Sequence, residues 1–535
     1  MHGLMQRREL LISSIIVHAA RHHGAAEVVS RRENGGLVRT TYARIEHRAR
    51  KLVNVLRELG VAMGDRVATL AMNSDRHLEL YYAISGMGAV CHTINPRLSP
   101  DDIAYILGHA EDGLLFVDPG FLPLALGAAA RTPGLRAIIV LGDPSEIKAC
   151  APPPGKGLHS YETLMAQADA VPDWPEFDEN LASGLCYTSG TTGRPKGVLY
   201  SHRSSLLHAF ALALPDGIGL RATDRVLPVV PMFHVNAWGL PYAAPMTGAT
   251  LLMPGRQLDP VSVLELMNAE RADIAVGVPT VWNALYAHMR ATGARFSSLK
   301  RIMSGGAALP LALVDGFAEL GVAAFQGWGM TETSPLVTAN KPKIATVDAT
   351  GDHACKQGRV LFGADLRVMT SDGEARWDGK TPGEVMCRGH WIASGYFRHD
   401  ADILSRDGWL PTGDVGVIDQ DGYMKLTDRT KDLIKSGGEW ISSIELENVA
   451  ASHPDVAEAA AIAVPDDKWG ERPLVIVVPR EGRTPTPEAL KAWFEGRVAK
   501  YAVPDRVAIA ESLPHGATGK ILKTELRRIY LAPTD

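Results

Sequence analysis

Short apolar runs alternate with segments of helical spacing over most of this chain, and that alternation restricts the fold to α/β layers with largely parallel sheets. Thr41 to Leu59 carries helical spacing, and Asp65-Arg-Val-Ala-Thr-Leu70 reads as the strand after it. Leu114-Leu-Phe-Val117, Ala137-Ile-Ile-Val-Leu141 and Ala272-Asp-Ile-Ala-Val276 read as further buried strands, each near a helical segment. At 535 residues the chain is several times longer than one typical domain, so two or more units are expected. Past about Gly358 the texture changes to short strands and Asp-Gly turns (Asp372-Gly373, Asp407-Gly408, Asp421-Gly422), the pattern of a compact β-rich region. Beyond Arg429 an α+β pattern returns. Ile444 to Ser452 and Pro487 to Lys500 read as helices, Ala459 to Val464 and Leu474 to Val478 as strands, and a boundary falls near Asp428 to Lys431.

Charge and cysteine content exclude several classes of function. The net charge is −5 with no long basic block, so neither nucleic acid nor an anionic membrane is an expected partner. Cys91, Cys150, Cys186, Cys355 and Cys387 are scattered, odd in number and without CxxC spacing, which argues against a zinc site or a disulfide frame and for a reducing cytoplasm. The apolar run Leu10 to Ala20 follows Glu9, is interrupted by His18 and is too short to span a bilayer. It is expected to be a helix packed on the core, with no integral membrane contact.

Tyr187-Thr-Ser-Gly-Thr-Thr-Gly-Arg-Pro-Lys-Gly197 is the most informative segment. The hydroxyl residues Thr188, Ser189, Thr191 and Thr192 lie among Gly190, Gly193 and Gly197, ahead of Lys196 and behind an apolar strand ending at Tyr187. Glycines let backbone N–H groups converge on one point, a concavity that suits phosphate oxygens, and the hydroxyls and the ammonium add donors and charge. A Walker A loop would run Gly-Lys-Ser/Thr into a helix, whereas here Pro195 precedes Lys196 and Gly197-Val198 follows it, so the P-loop NTPase reading fails.

This segment closely resembles the phosphate loop of the adenylate-forming superfamily, which includes acyl-CoA synthetases, beetle luciferases and peptide-synthetase adenylation domains. The resemblance continues in order over nearly the whole chain, and its nearest match is to the short- to medium-chain fatty-acyl-CoA ligases, 3-methylmercaptopropionate-CoA ligases included. It implies ATP, Mg²⁺ and coenzyme A as the small molecules used, with an acyl-adenylate made first and its acyl group then passed to a thiol. It also implies a large N-terminal domain (1–428) of layered sheets with a β-rich subdomain, a hinge (429–431) and a small mobile α+β C-terminal domain (432–535). Relatives of this kind are often homodimers.

The same resemblance distributes roles among named residues. In Gln326-Gly-Trp-Gly-Met-Thr-Glu332, Glu332 is the metal carboxylate and Thr331 and Thr188 contact phosphate or metal, which suits a Mg²⁺ that keeps waters and bridges ATP oxygens. Trp328 stands where the family stacks an aromatic ring, more commonly Tyr, on adenine. Gly329, beside it, leaves open a spot that acetate-specific relatives fill with Trp. The turn Ser304-Gly-Gly-Ala-Ala308 brings Gly305, Gly306 and Ala307 close to the adenine and the acyl group, where small residues admit close main-chain approach. Asp414, expected just before a strand, and Arg429, expected just after the strand Tyr423 to Leu426, are the ribose partners. His234 and Trp238 in Pro231-Met-Phe-His-Val-Asn-Ala-Trp238 border the acyl group, on one side if the segment begins a helix, and the indole narrows the pocket against long chains.

Two lysines are expected to serve two half-reactions. Lys520, in Gly516-Ala-Thr-Gly-Lys520, neutralises the acid and the ATP α-phosphate as they approach. Lys435, with Gly437, Gly438, Glu439 and Trp440, lines the thiol tunnel, and a rotation at Lys431 exchanges the two loops. The acid itself stays open: propionate, butyrate to octanoate, methylthio-propionate and aryl acids all fit these motifs. A carrier-protein thiol in place of CoA, or a luciferase-like oxidation, shares the nucleotide motifs, although the Lys435 loop and the His234 segment disfavour the oxidase. The division of labour predicts that Lys520→Ala slows adenylate formation by about 10²–10³ while thioester formation from supplied adenylate stays largely intact. Single-turnover assays of the two steps check this, and equal loss of both contradicts it.

Overall fold

The apolar runs become the central strands of two large sheets. The computed structural model describes residues 1, 3–147, 150–188, 194–342, 351–437, 439–516 and 521–531. The first sheet has the strand order Gly157–Ser160, Ala137–Val140, Leu114–Val117, Arg66–Leu70, Val90–Thr93, Ala182–Tyr187, Gly197–Ser201, parallel except for the last pair. Its chain steps from Arg66–Leu70 to Val90–Thr93 on one side and then to Leu114–Val117 on the other, so the connection changes direction there. The second sheet is parallel through Ala323–Gly329, Arg301–Ser304, Ile274–Gly277, Arg225–Pro228, Thr250–Met253 and Glu27–Arg31, with antiparallel strands at both edges. It reverses in the same way between Arg225–Pro228 and its neighbours. Ligands of open parallel sheets bind outside the carboxyl ends of the strands at such switch points.

Helices fill the layers around these sheets. Ile12–His22, Tyr42–Glu58, Asp75–Gly86, His202–Ala213 and Leu240–Thr247 lie between the sheets and share one apolar cluster with both. The N-terminal run is therefore a core helix, with Ile12, Ile15, Ile16 and Ala19 buried, and no helix among the described residues is long and apolar enough to cross a membrane. Pro100–Ala110 and Leu122–Ala129 cover the outer face of the first sheet. Pro260–Ala269, Pro279–Thr292 and Leu311–Glu319 cover that of the second. Fully buried Tyr81 and Tyr82 donate to the carbonyls of Met232 and Pro241 at 2.6 and 2.7 Å, tying a helix of the inner layer to the loop and helix that follow Arg225–Pro228.

The β-rich region is a five-stranded antiparallel sheet, ordered Gly373–Glu374, Ala364–Thr370, Gly383–Gly389, Leu410–Ile418, Met424–Arg429. Gly373, Gly408 and Gly422 of the Asp-Gly turns all take positive φ. Asp414 and Arg429, expected outside strands, lie within the last two and face each other in register, because ladder hydrogen bonds extend both strands beyond their apolar centres. After Arg429 a mixed sheet is built on the antiparallel pair Val456–Asp466 and Gly470–Pro479, with Arg506–Ile509 parallel to the latter, Ser443–Ala451 and Pro487–Phe494 packed on one face and Lys523–Leu531 on the other. The helix from Pro487 stops at Phe494, short of Lys500, because Glu495 turns extended and Gly496 takes φ +73°.

Three buried histidines tie this packing to pH. Burial pushes the imidazoles of His77 and His202 down to about 4 and that of His208 to about 3. His202 Nδ1 and His208 Nε2 accept the backbone N–H groups of Ile12 and Leu336 at 3.2 and 3.1 Å, so a proton on either nitrogen removes its bond. The unfolded chain takes up these protons below about 6.5 and the folded chain does not, so their contribution falls as pH drops from there toward 4. Glu79 and Asp118, raised to about 7 by burial, act in the opposite sense over much of that window and mask the effect in the whole protein. The difference between proteins isolates it. Relative to His208→Gln, which keeps an acceptor for Leu336, the parent should lose about 1.4 kcal/mol of unfolding free energy per pH unit between 6 and 4. Denaturant titrations at several pH values test this, and parallel curves contradict it.

Candidate active site

The carboxyl ends of strands from both large sheets open into one cavity of about 900 Å³, closed on a further side by the β-rich region. Val229 to Val235 follow Arg225–Pro228, Val278 follows Ile274–Gly277, Gly305 and Gly306 follow Arg301–Ser304, and Thr188 follows Ala182–Tyr187. Of the residues anticipated from sequence, Thr188, Lys196, His234, Trp238, Gly305 and Gly306 line it. So do Trp328, Gly329, Thr331, Glu332, Arg429 and Lys431.

The phosphate loop is pinched at its base, where Thr188 N–H donates to the Lys196 carbonyl at 2.9 Å and Lys196 N–H to Thr188 Oγ1 at 3.3 Å. Ser189, Gly190, Thr191 and Thr192 lie outside the described residues, as do Gly438 and Lys520. Lys196 places its ammonium 4.8 Å from the centre of the Tyr396 ring, and the Tyr396 hydroxyl donates to Glu332 Oε1 at 2.6 Å. Tyr200 holds the same loop by donating to the Thr331 carbonyl at 2.7 Å. No cluster of three or more His, Cys, Asp or Glu side chains suited to a metal exists among the described residues. Glu332, with the hydroxyls of Thr188 and Thr331, is thus a sparse set of hard oxygen donors. Mg²⁺ fits such a set, since it takes one or two carboxylates and draws its other oxygens from substrate and water.

Asp414 does not itself line the cavity: it is buried behind the lining residues Trp328 and Arg429, accepts Trp328 Nε1–H at 2.8 Å, and has Arg429 Nε 3.2 Å from its other oxygen. Burial lowers the Lys431 ammonium, which lines the cavity nearby. Ala307 does not line the cavity. Its carbonyl accepts from Gln326 Nε2 at 3.4 Å, and Gln326 Oε1 accepts Leu309 N–H at 3.1 Å, so Gln326 fixes the shape of the turn.

Two expectations about the acyl end are corrected. Gly329 does not leave a spot open: a Cβ there would lie 1.7 Å from the Pro335 carbonyl oxygen, so backbone already fills the space. Trp238 does share the cavity with His234, but not through an ordinary helix. Val235, Asn236, Ala237 and Trp238 have φ of 45°, 53°, 45° and 56°, followed by Gly239 at 83°, a left-handed turn. Such a conformation costs about 1–2 kcal/mol per residue for side chains with a Cβ. The indole that it presents packs on Gly305, where a Cβ would lie 2.8 Å from Trp238 Cη2.

Asn73, which sequence reasoning missed, braces this strained segment. It is buried, its Oδ1 accepts Met232 N–H at 2.6 Å, and its Nδ2 donates to the carbonyls of Pro228 and Val230 at 2.8 and 3.0 Å. Tyr396 was missed as well. The signals available were an Asn just past an apolar strand and an aromatic in Ser394-Gly-Tyr396-Phe, neither distinctive alone.

Lys435, Gly437, Glu439 and Trp440 do not line the cavity. Lys435 places its ammonium 4.9 Å from the centre of the exposed Trp440 ring and donates its N–H to Glu471 at 2.8 Å. Gly437 lies against Trp469, whose Cε3 would be 2.5 Å from a Cβ there, and Glu439 is exposed.

Comparison with known proteins agrees with this cavity. The profile described as AMP-binding enzyme matches residues 16–397, and that of the AMP-binding enzyme C-terminal domain matches 445–520. The chain belongs to the AMP-binding enzyme family. Within this family it is 49% identical to a 3-methylmercaptopropionyl-CoA ligase of Ruegeria pomeroyi, over 99% of both chains. It is 46% identical to a medium-chain-fatty-acid–CoA ligase of Ectopseudomonas oleovorans, over 99% of this chain and 98% of that one. Among solved structures, the anthranilate CoA ligase AuaEII in complex with anthranoyl-AMP superposes with a TM-score of 0.87 at 25% identity over 99% of both chains. ATP-bound MatB from Rhodopseudomonas palustris does so with a TM-score of 0.81 at 26% identity, over 97% of this chain and 99% of that one.

Proposed function

We propose that this protein is an ATP-dependent acid–thiol ligase that converts a carboxylic acid, ATP and CoA into acyl-CoA, AMP and diphosphate, acting on short- or medium-chain fatty acids or 3-(methylthio)propanoate. The observation that carries the reading is the convergence, on one cavity, of Thr188 and Lys196, the Glu332 carboxylate, His234 and the Trp328 and Arg429 side chains, the last two in contact with buried Asp414.

In this reading the Trp328 ring receives adenine, Asp414 and Arg429 hold the ribose, and Thr188 to Lys196 hold the phosphates. Glu332, with Thr188 and Thr331, would hold a Mg²⁺, which would supply charge neutralisation for the phosphate oxygens. The acid lies between His234 and Trp238 with its carboxylate toward the α-phosphorus. The new bond joins a carboxylate oxygen to that phosphorus, and the bond to diphosphate breaks. Lys520 neutralises the approaching pair, and preorganised charge of this kind supplies about 3–4 kcal/mol. No side chain needs to act as a nucleophile. In the second step the thiolate attacks the acyl carbon and AMP departs with the electron pair of the acyl–oxygen bond.

The thioester step belongs to Lys435, Gly437, Gly438, Glu439 and Trp440, which must approach from outside the cavity. Rotation of 432–535 about 429–431 does this. It separates Asp428 from Ser443, whose N–H and hydroxyl it accepts at 2.5 and 3.0 Å, and water replaces those bonds. The chain-length limit rests on the Trp238 indole packed on Gly305, since the space at Gly329 is already filled. A cytoplasmic location, read from the scattered cysteines, and a homodimer, as relatives of this kind often are, accompany this reading.

A panel of acids tests the substrate assignment through acid-dependent AMP formation. With CoA present, propionate to octanoate and 3-(methylthio)propanoate should support turnover at least about tenfold better than acetate or palmitate, as one to two methylenes in a closed pocket allow. Best turnover with palmitate contradicts the pocket assignment. Turnover only with a carrier protein, or oxygen uptake without CoA, contradicts the ligase assignment.

A further inference from the structure

Asp414 is held from two sides by protein groups. It lies in the strand Leu410–Ile418, directly across from Arg429, and is 4% exposed. Trp328 Nε1–H donates to Oδ2 at 2.8 Å, and Arg429 forms an ion pair with Oδ1, its Nε 3.2 Å away. Its backbone N–H goes elsewhere, to Thr412 Oγ1 at 3.1 Å, so the side chain is oriented by those two partners. An ionised carboxylate offers about four lone-pair positions, two on each oxygen. One bond and one ion pair do not exhaust that capacity, and two vicinal hydroxyls require one acceptor position on each oxygen.

We infer that the Trp328 indole N–H fixes the rotation of the Asp414 carboxylate so that its two oxygens meet the ribose diol, making Trp328 a positioning residue for sugar recognition as well as a ring surface for the base. The inference rests on the proposed reading that Asp414 binds the ribose. A ring alone does not do this. Phenylalanine keeps an apolar face but has no donor, and a tyrosine hydroxyl projects along the ring axis, not from its side. Without the N–H, the carboxylate is free to turn and take two parallel bonds from Arg429, a favoured geometry for such pairs that withdraws both oxygens from the sugar. The chain thus couples base and sugar recognition through a bond between residues 86 apart in sequence.

Two substitutions separate the ring from its N–H. Trp328→Phe keeps a flat apolar surface and removes the donor. Trp328→His keeps a nitrogen two bonds from the ring attachment, as in indole, and removes most of the surface. The readout is acid-dependent ATP–diphosphate exchange with ATP, 2′-deoxyATP and 3′-deoxyATP, alongside thermal unfolding. In the parent each missing hydroxyl should lower kcat/KM by about 10–100-fold, the range for a hydrogen bond to a charged group. Trp328→Phe should hold ATP with KM raised less than about tenfold yet prefer ATP over either deoxynucleotide by less than about threefold. Trp328→His should show the reverse, a large rise in KM with the preference kept.

Undiminished preference in Trp328→Phe overturns the inference and leaves the ribose role of Asp414 intact. Should Trp328→Phe not fold, loss of preference in a folded Trp328→His overturns the inference and retained preference supports it. A parent that makes no distinction among the three nucleotides overturns the ribose reading itself, and the inference with it.

Discussion

Two anions that repel each other, a carboxylate and a polyphosphate, must come within bonding distance, and the architecture follows from that electrostatic constraint. Unit charges 4 Å apart repel by about 1 kcal/mol in water and about 4 kcal/mol near a protein surface, so charge has to be fixed in place before the substrates meet. Parallel strands end together, and the loops that leave their carboxyl ends carry free main-chain donors toward one point. This fold sets two such sheets beside each other so that both sets of ends face the same cavity. The phosphate loop comes from one sheet, while the acyl segment, the glycine turn and Glu332 come from the other. Neither sheet alone assembles the constellation.

Strain is concentrated beside His234, in the segment proposed to border the acyl group. Four consecutive side-chain-bearing residues in the left-handed region, Val235 to Trp238, persist only because their surroundings hold them. Asn73 fixes the approach to this turn. Tyr81 donates to the carbonyl of Met232 and lies 3.1 Å from Asn236 Oδ1, and Gly239 completes the turn against His208, which leaves no room for a Cβ. These supports come from the first sheet and the inner helices, so the inter-sheet core and the acyl pocket share one set of contacts. The pair proposed to hold the ribose is built differently, by a two-strand register that sets Asp414 opposite Arg429.

Much of the fold was legible because burial on both faces leaves an unmistakable trace. Leu114–Val117 is apolar at every position and is found with the bounds read from sequence, and Tyr42–Glu58 keeps the helical stripe read from Thr41 to Leu59. The nucleotide motifs were legible because close main-chain approach and phosphate binding demand glycine and hydroxyl residues in a fixed order. What escaped is what depends on distant partners. The Trp328–Asp414 bond, the Asn73 brace and the Tyr396 hydroxyl on Glu332 join residues far apart in the chain, and no local pattern marks them. Gly329 misled because a small residue reads equally as a gap or as a backbone contact, and Pro335 makes it the latter. The handedness of the turn at Trp238 was hidden because Val, Ala and Trp rarely take positive φ, and Asn236, which tolerates it, marks at most a single residue and not a run of four.

The central claim is that a carboxylate oxygen bonds to the innermost phosphorus of ATP in this cavity. Turnover with acid labelled by oxygen-18 in its carboxyl group tests that bond directly, with mass spectrometry of the products. The account predicts one labelled oxygen in AMP for each acyl-CoA formed and none in diphosphate. Label in orthophosphate, or unlabelled AMP beside acyl-CoA, would contradict it.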